Sequence, residues 1–116
     1  YMEKYNPDEY EYRVDDRMRR LIAKRDWGRW GENDTLYVNF LTDNDITGGN
    51  SGSPVLDGKG HLIGLAFDGN RESMAGDVWF HPELARTVCV DIRYVMWVID
   101  KYADAGRLLD EMKFAK

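Results

Sequence analysis

Gly48-Gly49-Asn50-Ser51-Gly52-Ser53-Pro54 is the stretch on which the reading of this chain turns. Glycines on both sides of one serine, closed by a proline, make a backbone that can bend where a Cβ would forbid it. Such a bend pushes one hydroxyl outward and turns amide N–H groups toward a single point. A serine nucleophile and its oxyanion hole need that arrangement. Ser51 is therefore the candidate nucleophile, and the backbone amides of Gly49 and Ser51 are the candidate oxyanion donors. The plain alternative is a Gly/Ser-rich turn with no chemistry. A lone G-x-S-x-G would favour that alternative; the longer pattern, with Pro54 leading into an extended segment, favours the nucleophile.

The segments around the loop predict a mainly β chain with flanking helices. Ser53–Leu56 reads as a strand, Asp57-Gly58-Lys59-Gly60 as a turn, and His61–Phe67 as the return strand of a hairpin. Leu36–Leu41 and Thr87–Ile92 read as further strands, with residues 69–84 irregular between them apart from short extended pieces near Val78-Trp79-Phe80. Residues 6–26 are expected to be helical. Asn6 would cap that helix, Pro7 would take its first position, and Glu9 would close a capping box. Tyr10, Val14, Met18, Leu21 and Ile22 fall on one stripe at helical spacing. Acidic residues at its start (Asp8, Glu9, Glu11) and basic ones at its end (Arg19, Arg20, Lys24, Arg25) suit the helix dipole, and the basic group reads as a solvated helix end. Trp27-Gly28 and Trp30-Gly31 break the helix, with the rings packing on a neighbouring surface. Arg93–Ala103 reads as a second helix. The run Val95-Met96-Trp97-Val98-Ile99 is apolar on every side and would also suit a strand, but Asp91 before it and Gly106 after it favour a capped helix. Gly106–Lys113 adds a short amphipathic turn or helix. The expected organisation is a helical lead-in over 1–33, strands with the serine loop over 34–92, and a helical segment over 93–116.

Composition narrows the functions. With 116 residues the chain is one domain or part of one, and its 43% apolar and 32% charged content is ordinary for a globular protein. The net charge of −5 argues against nucleic acid as a partner. No apolar run approaches the roughly 20 residues of a membrane span, and no signal peptide is expected within these residues. Because the chain starts at Tyr1, it is expected to be a processed or excised piece. Cys89 is the sole cysteine, and its setting Thr87-Val88-Cys89-Val90 predicts a packed thiol in a buried strand. Asn33-Asp34-Thr35 fits a glycosylation sequon of low specificity. No His/Cys/Asp/Glu cluster has metal-ligand spacing, so neither metal nor cofactor is expected.

The serine loop resembles G-[DN]-S-G-[GS]-P, the nucleophile loop of chymotrypsin-like serine peptidases. In those enzymes the loop feeds a hairpin whose second strand walls the specificity pocket and pairs with the substrate backbone. Leu62-Ile63-Gly64-Leu65-Ala66-Phe67-Asp68-Gly69 lies at the matching distance here. A narrower resemblance rests on Asp45-Ile46-Thr47, Gly64-Leu65-Ala66-Phe67-Asp68-Gly69-Asn70, Asp77 and Val90-Asp91-Ile92-Arg93-Tyr94-Val95. These are similar to the C-terminal part of bacterial dipeptidyl-peptidases seven and eleven, over about Asp8 to Met112, and closer to seven. The resemblance implies part of the C-terminal barrel of a chymotrypsin-like double barrel that carries an added helical domain. It implies release of dipeptides from the free N-terminus of oligopeptides, a periplasmic or secreted parent, and a homodimer. It also implies Ser51 as nucleophile, Asp68 as anchor of the substrate's α-ammonium, and Gly69 in the specificity pocket. A carboxylate near the cleft would reward that terminal charge. In the family, glycine at the position of Gly69 goes with hydrophobic side chains before the cut bond, and arginine there goes with Asp or Glu. Hydrophobic residues are therefore expected, with Arg71 pointing away as a solvated turn residue; leaning inward, it would favour acidic substrates.

A serine nucleophile needs a base and an orienter. The chain's two histidines, His61 and His81, both read as turn residues. The resemblance places the triad histidine and aspartate in the first barrel, outside this chain. The isolated chain is thus expected to be inactive, and its cut sheet to self-associate through open edges. Two other readings compete. A trypsin-like endopeptidase explains Ser51 and the hairpin, but not Asp68-Gly69 or the segment after Asp91. A non-catalytic peptide-binding module would keep the barrel without the reaction.

Overall fold

A computed structural model describes residues 2, 5–10, 13–44, 46, 48–69 and 86–115. Its centre is a four-stranded antiparallel sheet of β1 (Asn39–Thr42), β2 (Pro54–Leu56), β3 (Leu62–Gly69) and β4 (Thr87–Asp91), in the order β1-β4-β3-β2. Three of the strands begin or end within a few residues of the sequence expectation. The first is shifted: it starts at Asn39 rather than Leu36 and runs on to Thr42. Val38 still contributes, because its carbonyl accepts from the Asp91 amide at 2.8 Å.

Gly64 lets the sheet close up around an aromatic ring. A Cβ there would lie 2.5 Å from the Val90 carbonyl oxygen and 2.7 Å from the Phe40 ring. Phe40 on β1 therefore reaches across β4 onto bare β3 backbone. On β4, burial alternates: Thr87, Cys89 and Asp91 are buried, with Val88 and Val90 half-buried between them. The Cys89 thiol is fully enclosed, and burial pushes its pKa upward.

The second layer is helical. Helix α1 (Asp16–Lys24) is much shorter than the predicted 6–26. The Asp15 carboxylate caps it, accepting from the Met18 amide at 2.8 Å, whereas the Asn6 side chain accepts from the Asp8 amide in a local turn. Tyr10, counted on the apolar stripe, is 86% exposed, so the first predicted turns bury no apolar face to sustain them. At the other end Arg25 takes a left-handed conformation, and the Arg25 and Asp26 amides return to the Ile22 and Leu21 carbonyls. That is the Schellman pattern, with arginine where glycine is usual.

After β4 the chain turns at once into helix α2 (Ile92–Trp97), capped by Asp91 as expected, and then widens into a π-turn over Val98–Tyr102. The apolar run at 95–99 is therefore helical. Gly106 does not cap it. Asp104, at φ 50°, takes the left-handed position, and Gly106 opens helix α3 (Gly106–Asp110). Met18, Trp30, Met96 and Trp97 form the buried centre between α1 and α2. Each indole N–H has an acceptor: Trp97 donates to the Asp26 carbonyl at 2.7 Å, and Trp30 to the Asp100 carboxylate at 3.1 Å.

Arg93 ties the two layers together. Its guanidinium makes a two-pronged bond to buried Asp91 (3.0 and 2.8 Å) and a third bond to Glu32 at 2.9 Å, while lying 4.7 Å from the Tyr37 ring. The Asp91 hydrogen bonds, then Glu32, raise the Arg93 pKa further.

Candidate active site

The serine loop is held by strand β3. The Gly52 amide donates to the Ala66 carbonyl at 2.6 Å, and the Ala66 amide donates back to the Ser53 carbonyl at 2.9 Å. Within the loop the Ser53 amide donates to the Asn50 carbonyl at 3.0 Å. Gly49 (φ 99°) and Gly52 (φ 85°) bracket Ser51, and a Cβ on either would meet nothing within 4 Å. Backbone conformation, not space, requires glycine at both. Ser51 is exposed between them. Neither the Gly49 nor the Ser51 amide has a hydrogen-bond partner among the described residues. Among the described residues the loop thus carries one exposed serine and two amides without an acceptor.

The far end of β3 carries Asp68 and Gly69, and a β-bulge sets their directions. Ala66 pairs with Cys89, but Asp68 pairs with Val88 and Gly69 with Thr87, leaving Phe67 as the extra residue. Residues directly opposed in an antiparallel pair share a face. Gly69 therefore lies on the buried-side face with Ala66, Cys89 and Thr87, and Asp68 stands on the opposite one. Bulges of this kind re-aim side chains beside functional sites. The Asp68 carboxylate is exposed and accepts from the Gly69 amide at 2.8 Å.

A cleft of about 300 Å³ opens behind the loop, lined among others by Asn44, Ile46, Asn50, Ser53, Ala66 and Thr87. Thr87 is 1% exposed, and its hydroxyl donates to the Asn44 carbonyl at 2.7 Å. Nothing in the sequence pattern marks this threonine, since a β-branched residue on a buried strand is ordinary. A larger groove, about 720 Å³ beside His61, Met96 and Phe114, borders the turn end of the hairpin and does not touch the serine loop.

His61 sits at that turn end. Its amide donates to the Asp57 carboxylate at 2.9 Å, and its Nδ1 lies 3.3 Å from the same group. The His61 and Lys59 amides hold the Asp57 carboxyl below the usual range. Asp57 lies four positions beyond Ser53, whose carbonyl accepts from the Ala66 amide, a span of about 13 Å of extended chain. His61 is therefore committed to Asp57, well away from Ser51. His81, Arg71, Asn70 and Asp77 lie outside the described residues.

The Peptidase S46 family model matches residues 1–114, so the match takes in the loop, the bulge and the clamp together. The chain belongs to the Peptidase S46 family. Among S46 relatives it is 55% identical over 112 residues to dipeptidyl-peptidase 7 of Capnocytophaga gingivalis, covering 96% of this chain and 16% of that protein. It is 51% identical over 116 residues to an Asp/Glu-specific dipeptidyl-peptidase of the same organism, covering 99% of this chain and 16% of that protein. A crystal structure of Porphyromonas endodontalis DPP11 with the dipeptide Arg-Asp superposes with a TM-score of 0.93 at 42% identity, over 97% of this chain and 16% of that one. This S46 chain thus spans 16% of the length of these relatives.

Proposed function

We propose that this chain is the nucleophile-bearing part of a serine dipeptidyl peptidase. It releases N-terminal dipeptides from oligopeptides and prefers hydrophobic residues before the cleaved bond. The observation that carries the reading is the backbone at Ser51: an exposed hydroxyl between two positive-φ glycines, with the Gly49 and Ser51 amides free to receive an oxyanion. Asp68 holds the substrate's α-ammonium, and Gly69 leaves the specificity pocket open. Relatives named dipeptidyl-peptidase 7 and relatives named Asp/Glu-specific dipeptidyl-peptidase are about equally similar overall, so the preference rests on Gly69.

The outer strands β1 and β2 of the sheet each have one edge with no strand partner among the described residues. That supports reading residues 34–92 as part of a chymotrypsin-like barrel completed by other segments of a longer parent, with 1–33 and 93–116 as its helical flanks. The triad histidine and aspartate come from that parent, which acts in the periplasm or outside the cell as a homodimer. The isolated chain does not hydrolyse peptides.

The test uses the full-length parent. A serine-directed phosphonate bearing a free N-terminus is expected to label Ser51, and Ser51→Ala is expected to abolish both labelling and dipeptide release. Peptides with a blocked N-terminus should be poor substrates. Rapid cleavage of blocked peptides would turn the reading toward an endopeptidase, and no label on Ser51 would turn it toward a non-catalytic module.

A further inference from the structure

We propose that Thr87 is a positioning residue for this site, and that its buried hydroxyl sets the geometry of both the serine loop and the specificity cleft. The inference rests on the peptidase reading above and extends it to a residue that touches no reacting atom.

Thr87 stands where the two walls of the cleft meet. In β4 it is the residue paired with Gly69, on the face that Gly69 shares with Ala66. Its side chain is 1% exposed, and its hydroxyl reaches 43 positions back along the chain to the Asn44 carbonyl at 2.7 Å. Asn44 begins the segment that runs through Ile46 to Gly49 and Ser51. Downstream, the loop is fixed by the Gly52–Ala66 and Ala66–Ser53 bonds. The Thr87–Asn44 bond ties the upstream arm of the loop to the sheet carrying Gly69. The oxyanion amide of Gly49 lies on that upstream arm. Without the hydroxyl, the Asn44 carbonyl loses this donor and the upstream arm loses that tie to β4. A displacement of about 1 Å between catalytic donors and substrate can cost 100-fold in rate.

The hydroxyl also gives the cleft floor its polarity. Its proton is committed to the Asn44 carbonyl, so it offers only lone pairs toward the cavity.

The test compares Thr87→Val, which keeps the shape and removes the hydroxyl, with Thr87→Ser, which keeps the hydroxyl, both in the full-length parent. Thr87→Val is expected to lower kcat for a Leu-containing dipeptidyl reporter by about 10- to 100-fold with KM nearly unchanged. Thr87→Ser is expected to retain most of the activity. Hydrogen exchange over 43–53 should quicken in the valine variant and stay near wild type in the serine variant. Wild-type kcat in Thr87→Val, or equal losses in both folded variants, would overturn the proposal. If Thr87→Val does not fold, an inactive but folded Thr87→Ser overturns it just as directly. Failure of the peptidase reading has a different signature: the wild type itself leaves Ser51 unlabelled. The exchange comparison then still decides whether Thr87 orders the loop.

Discussion

Ser51 owes its exposure to its neighbours, and so do the consequences of changing them. Gly49→Ala and Gly52→Ala would force a Cβ into positive φ with nothing to clash against. The expected result is a loop that reorganises while the sheet stays intact: kcat in the parent falls at least tenfold and thermal unfolding moves little. Asp68→Asn should weaken the grip on a free N-terminus, seen as a raised KM for dipeptidyl reporters with smaller loss for longer peptides. Cys89 behaves oppositely to a reactive thiol. Enclosed and with its pKa pushed up, it should resist alkylation at pH 8 in the folded protein and react only after denaturation. The serine loop and the packed cysteine were both legible in the sequence, because each is a local pattern with a chemical meaning. Thr87 and the Arg93 clamp were not, since their partners lie 43 and 61 positions away.

At the scale of elements, caps and close approaches decide boundaries that periodicity alone gets wrong. The predicted first helix overran because its stripe counted Tyr10, which packs on nothing, and because Asn6 and Asp15 look alike as caps in sequence. The tertiary contact chose: the Tyr102 hydroxyl donates to Asp15, anchoring the α1 start to the π-turn. That bond, then the Met18 amide, lowers the Asp15 pKa from its ordinary 3.8. A carboxyl depressed on folding contributes stability that is present above the unfolded pKa and lost as pH falls through the folded one. Acid unfolding should therefore steepen below about pH 3.8, and Tyr102→Phe should move its midpoint upward. In the sheet, Gly64→Ala should destabilise by about 1–3 kcal/mol, because the Val90 carbonyl cannot yield without breaking the β3–β4 ladder. Chemical denaturation measures that cost. The sequence did show the hairpin, since its turn chemistry is strong. Gly64 carries no such signal, because the Val90 carbonyl and the Phe40 ring, both from other strands, make glycine necessary there.

For the whole molecule, the sheet order β1-β4-β3-β2 leaves β1 and β2 at its margins, with Leu41 and Leu56 on those strands 62% and 54% exposed. Exposed apolar edges of this kind recruit further strands. The 116-residue chain alone is expected to associate with itself and to hydrolyse no dipeptidyl reporter. Sedimentation showing a clean monomer at high concentration would contradict the first expectation. Turnover that disappears on Ser51→Ala would contradict the second. The architecture was readable as strands between helical flanks, but the sheet order was not, because it depends on which distant segments pair.

The bulge at Phe67 has a further consequence for how such a site can change. Side chains on a strand alternate, so one surplus residue inverts the parity of everything after it. Straightening the bulge with Phe67 kept, so that Phe67 opposes Val88 and Asp68 opposes Thr87, would exchange the faces of Asp68 and Gly69 and turn a carboxylate toward Thr87, whereas deleting Phe67 would leave both on the faces they hold now. A one-residue slip in register would thus put a carboxylate where a glycine now faces Thr87, without altering the sequence. Which side chain faces Thr87 on this strand is encoded as much by counting as by chemistry.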